Sequence, residues 1–174
     1  MSSTVAELDV MAPDRAAQLL GDCCGSTRWV SAMVARRPFG SVDRLLAAAD
    51  DTWRSLGPDD WREAFSHHPR IGERRSAAQQ SERSAAWAEG EQASVGGAAD
   101  ATLTALERSN REYEQRFGYI YIVCASGRGA DELLADVTAR LRNDPEDELA
   151  VAADEQRKIT RLRLKKLLGQ GDTA

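Results

Sequence analysis

Two adjacent histidines, His67 and His68, are the only ones in the chain. Imidazole titrates near neutral pH and suits proton transfer. His68 is followed by Pro69, Arg70, Ile71 and Gly72. A proline and a glycine so close together disfavour helix and predict a loop of defined shape. A histidine held in such a loop is well placed for chemistry; the competing reading makes both residues ordinary packing or surface histidines. Two neighbouring histidines cannot easily face one ion, there is no His-x-x-x-His pair, and the cysteines are distant in sequence, so no metal site is expected.

Arg163 is the second residue out of pattern. On a wheel of the last helix, Leu149, Ala152, Ala153, Gln156, Ile159, Leu164 and Leu167 define an apolar face, and Arg163 falls near its middle. A buried guanidinium is costly unless paired. Its partner is either a carboxylate from a neighbouring helix or an anionic ligand gripped by the planar fork. Glu91-Gln92 sets an acceptor beside a mixed donor–acceptor, a pair too common to mean much by itself. Cys124 sits in an apolar run, where a thiol is more often inert packing than a nucleophile. Walker A, Gly-x-Gly-x-x-Gly and Gly-x-Ser-x-Gly patterns are missing.

The elements that must position these residues are helical. Pro13 opens a helix reaching Cys24, and Ser26 caps one running to Arg37, before Pro38. Ser41 opens the next, with Val42, Leu45, Leu46, Ala49 and Trp53 on one side, and Gly57-Pro58 ends it. A short helix covers residues 59–66, and an Ala-rich one covers 76–92. The clearest amphipathic stretch is 98–117, with Leu103, Leu106, Asn110, Tyr113 and Phe117 recurring at three and four residues and Gly118 closing it. The run 119–125 reads as a short extended buried segment. Helix 130–142 points Leu133, Leu134, Val137 and Leu141 inward, and Pro145 begins a long helix to about residue 168. The expectation is an all-α, single-domain bundle of about eight helices over residues 1–174, with its core at about 13–168 and a loose tail at 170–174.

Length and composition agree. The 174 residues suffice for one core, and the many Ala, Leu and Arg residues favour helix. A net charge of -5 gives no field to attract a phosphate backbone, so nucleic acid is not an expected partner. The basic pairs Arg74-Arg75 and Lys165-Lys166 read as solvated faces. Cys23, Cys24 and Cys124 make a poor disulfide framework. The first residues lack a signal-peptide pattern, and no stretch approaches the roughly 20 apolar residues that span a bilayer. A cytoplasmic, membrane-free location is the expectation.

The stretch His68-Pro69-Arg70-Ile71-Gly72-Glu73 resembles the signature of the decarboxylases of 2-oxo-4-hydroxy-4-carboxy-5-ureidoimidazoline (OHCU), an intermediate of urate breakdown. Cys23-Cys24-Gly25-Ser26, Arg28-Trp29 and Arg37-Pro38-Phe39 look like the family's N-terminal half. Glu91-Gln92, Asn110 with Tyr113, Arg116-Phe117-Gly118, Tyr121 to Ala125 with Gly127-Arg128, Arg140-Leu141 with Asn143, Glu148-Leu149, Lys158-Ile159 and Leu162-Arg163-Leu164 follow in the family's order. The resemblance covers about residues 13–168; each piece is modest, and their joint order is specific.

The resemblance implies an all-α fold, no metal and no organic cofactor, and decarboxylation of OHCU to (S)-allantoin. It makes His68 and Glu91 catalytic, and it assigns substrate binding to Pro69, Gln92, Arg163 and the backbone of Tyr121, Ile122, Val123, Cys124 and Ala125. It gives His67 no role. Many members carry serine where Ala88 stands, so a water or a nearby serine such as Ser84 must substitute. A separate hydroxyisourate hydrolase is implied upstream, and a homodimer is admitted. The competing classes are a helical binding module that has kept the fold, a decarboxylase of a related ureido or purine-derived substrate, and, more remotely, a helical DNA-binding regulator.

Overall fold

Short side chains at the helix starts set the helix boundaries. In the computed structural model, which describes residues 3–72 and 80–170, the Thr4 hydroxyl accepts from the Glu7 N–H and the Glu7 carboxylate reaches back to the Thr4 N–H. This capping box opens α1 (Val5–Val10), and its bonds hold the Glu7 carboxyl below the usual carboxylate range. Pro13 starts α2 (Pro13–Cys23). Ser26 caps α3 (Thr27–Ala35) and Ser41 caps α4 (Val42–Arg54). There follow α5 (Pro58–Ser66), α6 (Glu82–Glu91, capped by Ser81), α7 (Asp100–Phe117), α8 (Ala130–Arg140) and α9 (Pro145–Leu167). Gly118 ends α7 in the left-handed region, at φ 79°, where a side chain would be strained.

The architecture is all-α, with nine helices and no strand among the described residues. The ninth is α1, which falls outside the expected core. Glu73, the Arg74-Arg75 pair, residues 76–79 of the expected sixth helix and the tail from 171 onward lie outside the described residues. No described helix is long and apolar enough to cross a membrane.

The chain divides into two compact units, Met1–Ala64 with Arg157–Ala174, and Phe65–Gln156; the division falls inside α9. In the first, α3 packs on α2 and α4. Trp29 is fully buried and donates from Nε1 to the Ala49 carbonyl at 3.1 Å, and Leu8, Leu20, Met33, Leu45 and Leu164 fill the space around the helices. Arg157 and Arg161 of α9 both reach Asp50 of α4, at 3.4 and 2.9 Å.

In the second unit, α7 packs on α8, and an aromatic cluster forms its core. The Tyr113 ring lies 4.7 Å from Phe117, 5.5 Å from Tyr121 and 5.9 Å from Tyr119, and Phe65 lies 5.3 Å from Tyr119. Leu134 and Leu141, expected to point inward on α8, are only half-buried; the buried face of that helix carries Leu133, Val137 and Arg140. Arg140 is accepted inside because its fork is matched. It reaches Glu148, which is fully buried, through Nε at 2.8 Å and Nη2 at 2.6 Å, and it donates to the Ile122 carbonyl at 2.8 Å. Glu148 also accepts from the Tyr113 hydroxyl and, at 2.8 Å, from Asn143. Burial opposes the Arg140 charge, but these bonds hold its pKa above the ordinary range, while burial pushes the Tyr113 hydroxyl upward.

Candidate active site

The histidine loop begins where α5 ends. The His68 N–H donates to the Phe65 carbonyl at 3.1 Å, and Phe65 is fully buried, so the turn out of the helix is anchored in the core. Three side chains from two helices then fix the next residues. Glu114 of α7 receives Arg70 through both arms of its fork, at 2.9 and 2.8 Å. Asn110, one turn earlier on α7, donates to the Ile71 carbonyl at 2.9 Å. Gln92, the C-cap of α6, accepts from the Gly72 N–H at 3.0 Å. Gly72 has φ 85°, a conformation that suits glycine and lets the chain turn here. The loop of defined shape expected from Pro69 and Gly72 is what the structure shows; Pro69, His67 and His68 themselves are half-buried.

The His68 ring meets α9. Its Nε2 lies 2.7 Å from Oε1 of Gln156, a residue with no exposed surface. The residue just before it, Glu155, accepts from the Cys124 N–H at 2.8 Å. Consecutive α9 side chains therefore hold the histidine loop and the segment 121–125. That segment has no regular secondary structure, so it is neither helix nor strand. With no neighbouring strand, its backbone groups bond to side chains instead: Ile122 O to Arg140 and Cys124 N to Glu155. The Tyr121 hydroxyl donates to Asp136 at 2.5 Å. Tyr121, Ile122, Val123 and Ala125 are buried and Cys124 half-buried. Glu91 is buried at the end of α6, adjoining the Gln92 that holds Gly72. His68, Pro69, Glu91, Gln92 and residues 121–125 thus all belong to the second unit, tied through α6, α7 and α9.

Arg163 belongs to the first unit, about two helical turns beyond Gln156 on α9. It is 3% exposed, as the wheel requires. Its charge and the Thr160 hydroxyl both act on the Cys24 thiol, which burial nonetheless pushes up to about 12. Cys24 is therefore a neutral thiol at physiological pH and no nucleophile. All three cysteines are free.

Sequence reasoning missed Gln156, Glu155, Asn110 and Glu114 as site-shaping residues. Gln156 had a signal: like Arg163, it is a polar residue on the apolar face of the last helix. Glu114 and Glu155 had none, because a glutamate on an amphipathic helix reads as solvated surface until its partner is known.

Comparison with known proteins places the chain in a family. A family profile described as OHCU decarboxylase matches residues 9–165. The chain belongs to the OHCU decarboxylase family.

Within and around that family, the chain is 36% identical over 145 residues to the uric acid degradation bifunctional protein TTL of Arabidopsis thaliana, covering 83% of this chain and 45% of that protein. It therefore spans less than half the length of that relative. It is 31% identical to the 2-oxo-4-hydroxy-4-carboxy-5-ureidoimidazoline decarboxylase of Amia calva, over 79% of this chain and 78% of that one. Its fold superposes on a crystal structure of OHCU decarboxylase in the presence of (S)-allantoin with a TM-score of 0.73 and 34% identity, covering 86% of this chain and 96% of the other. The all-α architecture is thus the decarboxylase fold.

Proposed function

We propose that this chain decarboxylates OHCU to (S)-allantoin and CO2 in urate breakdown, with His68 as the proton-transfer group. The observation that carries this reading is the His68–Gly72 loop, held at His68, Arg70, Ile71 and Gly72, in a chain of the OHCU decarboxylase family.

The substrate explains the economy of the site. One ring carbon carries both the carboxylate and a hydroxyl, and the adjacent ring carbon is doubly bonded to nitrogen. When the bond to the carboxylate breaks, its electron pair moves into that C=N bond, so the substrate is its own electron sink. The products of this step are CO2 and an enol-like ring. The bond pair forms a carbon–carbon double bond and pushes the C=N pair onto the nitrogen, which takes up a proton; transfer of a second proton to the ureido-bearing carbon and loss of the enol proton then give neutral allantoin. The protein must align the breaking bond with the π system, stabilise the enol-like intermediate and deliver the proton to one face.

In this proposal His68 moves the proton at the hydroxyl or the reacting carbon, and Glu91 polarises the substrate beside it. Gln92, Pro69 and the backbone of residues 121–125 orient the ring amide and ureido groups. Arg163 binds atoms that remain in the product, since gripping the leaving carboxylate most tightly in the ground state would not lower the barrier. Ser84, buried on α6 one turn before Ala88, supports the reading that a neighbouring hydroxyl replaces the family serine. A one-domain organisation is supported by the family match across both units and by the continuity of α9. The free cysteines, two of them buried and adjacent, support a reducing cytoplasm. The proposal also includes a separate hydroxyisourate hydrolase upstream and admits a homodimer.

The deciding experiment follows circular dichroism at an allantoin band while the protein meets freshly generated OHCU. Spontaneous decay gives racemic allantoin and no lasting signal; this protein is expected to give a rapid, persistent signal of one sign. A trace matching protein-free decay points to a different substrate or to a binding module. In the same assay Arg163→Lys, which keeps the charge and loses the fork, is expected to lower kcat/KM by about 10- to 100-fold, the worth of a charged hydrogen bond. Unchanged kcat/KM would remove Arg163 from the substrate contacts.

A further inference from the structure

We infer that Asp136 is a positioning residue: from α8 it clamps both ends of the segment 121–125 and so sets where that segment meets substrate. Its effect on the reaction rests on the substrate role proposed for residues 121–125; the clamp itself stands on contacts alone.

The segment needs holding. It has no regular secondary structure, so its geometry is set by the groups that bond to it. Two side chains one turn apart on α8 grip it along its length. Arg140 holds the middle, through the Ile122 carbonyl at 2.8 Å. Asp136 holds the two ends. At the front, its Oδ2 accepts from the Tyr121 hydroxyl at 2.5 Å. At the back, its Oδ1 lies 3.5 Å from Nη2 of Arg128. Arg128 stands just beyond Ala125, and its own N–H closes the turn by donating to the Ala125 carbonyl at 2.9 Å. Oδ2 of Asp136 also lies 3.5 Å from Nη1 of Arg140, so one carboxylate joins all three anchors.

The chemistry calls for an anion at this point. Tyr121 is 3% exposed, and a buried hydroxyl costs stability unless its bond is made. Burial, with the bond to Asp136 adding to it, pushes the Tyr121 pKa upward, so the hydroxyl stays a donor. The Leu133 carbonyl is a second acceptor, but at 3.5 Å. A hydroxyl and two guanidiniums converge as donors, and a carboxylate answers them with two charged oxygens. Glu132 cannot take its place. It meets Arg128 at 2.7 Å from the outside, with its side chain 60% exposed, and such a surface pair contributes little. Asparagine in place of Asp136 would still accept from Tyr121, but it would bring no charge to Arg128 and would turn an amide N–H2 toward one of the arginines. None of these contacts moves a proton. They act on the reaction by fixing where the backbone of 121–125 stands against the ring amide and ureido groups, which is a matter of substrate binding.

Asp136→Asn tests this with two readouts. Amide hydrogen exchange over residues 121–125 of the protein without substrate is expected to quicken by about 10-fold or more. KM for OHCU is expected to rise by about 10-fold, with kcat falling less. The split matters, because a loss of folded protein lowers the apparent kcat and leaves KM where it was. Glu132→Gln, which cuts only the outer arm of Arg128, is expected to leave exchange and KM within about twofold; an equal effect there overturns the inference. Unchanged exchange in Asp136→Asn, or a lower kcat at unchanged KM, also overturns it. Faster exchange with kcat and KM both unchanged keeps the clamp and overturns the substrate role of the segment. If Asp136→Asn fails to fold, Arg128→Gln releases the back end alone and is read by the same two measurements.

Discussion

His68→Asn is expected to lower turnover of OHCU by about 10²- to 10⁴-fold, the range in which a positioned acid–base group contributes. The residual product should also lose its optical activity. Both effects follow from one cause. The substrate loses CO2 by itself, so the protein's contribution lies in how fast and from which side a proton arrives. Asparagine fills much of the imidazole's volume and retains a polar group toward Gln156, yet it cannot carry a proton between atoms near neutral pH. His68 is half-buried and packs at a loop rather than in the aromatic cluster, so the fold should survive. Stopped-flow decay of OHCU, with allantoin circular dichroism in parallel and a thermal melt as the folding control, checks all three points. A folded variant with wild-type turnover would sink the assignment.

The second large effect is structural. Arg140→Met should destabilise the protein by about 3–5 kcal/mol, the usual result of breaking a buried ion pair by removing one partner. Glu148 has no exposed surface, and without Arg140 its charge would be compensated only by Tyr113 and Asn143. Methionine also removes the cation over the Tyr121 ring, 4.9 Å from its centre, and the donor to the Ile122 carbonyl. Adding Glu148→Gln removes the uncompensated charge and keeps an acceptor for Tyr113. The double variant should therefore regain much of the lost stability. It should not regain full activity, because the backbone at Ile122, within the proposed substrate segment, still lacks its anchor. Urea denaturation of both variants measures the first claim and turnover the second. A loss below about 1 kcal/mol in Arg140→Met would show that the network is not the support described here.

Much of this arrangement was legible in the residues. Ser26 and Ser41 announce helix starts, Gly118 announces a stop, and the spacing of Leu106, Asn110 and Tyr113 gives the buried face of α7. These are local signals, set by backbone hydrogen bonding and a 3.6-residue repeat, and need no tertiary information. Arg163 was legible for a related reason: a charge on an apolar face is conspicuous in any sequence. The short helix α1 was not expected from the sequence; its Thr4–Glu7 capping box is seen in the structure.

What the sequence could not decide were the pairings. Arg70 with Glu114, Arg140 with Glu148 and His68 with Gln156 join residues 44, 8 and 88 positions apart. Each partner taken alone is an ordinary polar residue. The run 119–125 shows the same limit: its apolar, β-branched composition predicts an extended buried segment, but whether that segment becomes a strand depends on a neighbour. The all-α fold supplies none, so Arg140 and Glu155 satisfy its backbone instead. The sequence by itself thus determined the helices, the loop and the residue types fit for proton transfer. The tertiary structure decided which side chain holds which nitrogen, because hydrogen bonds depend on distance and direction in space, and chain order records neither.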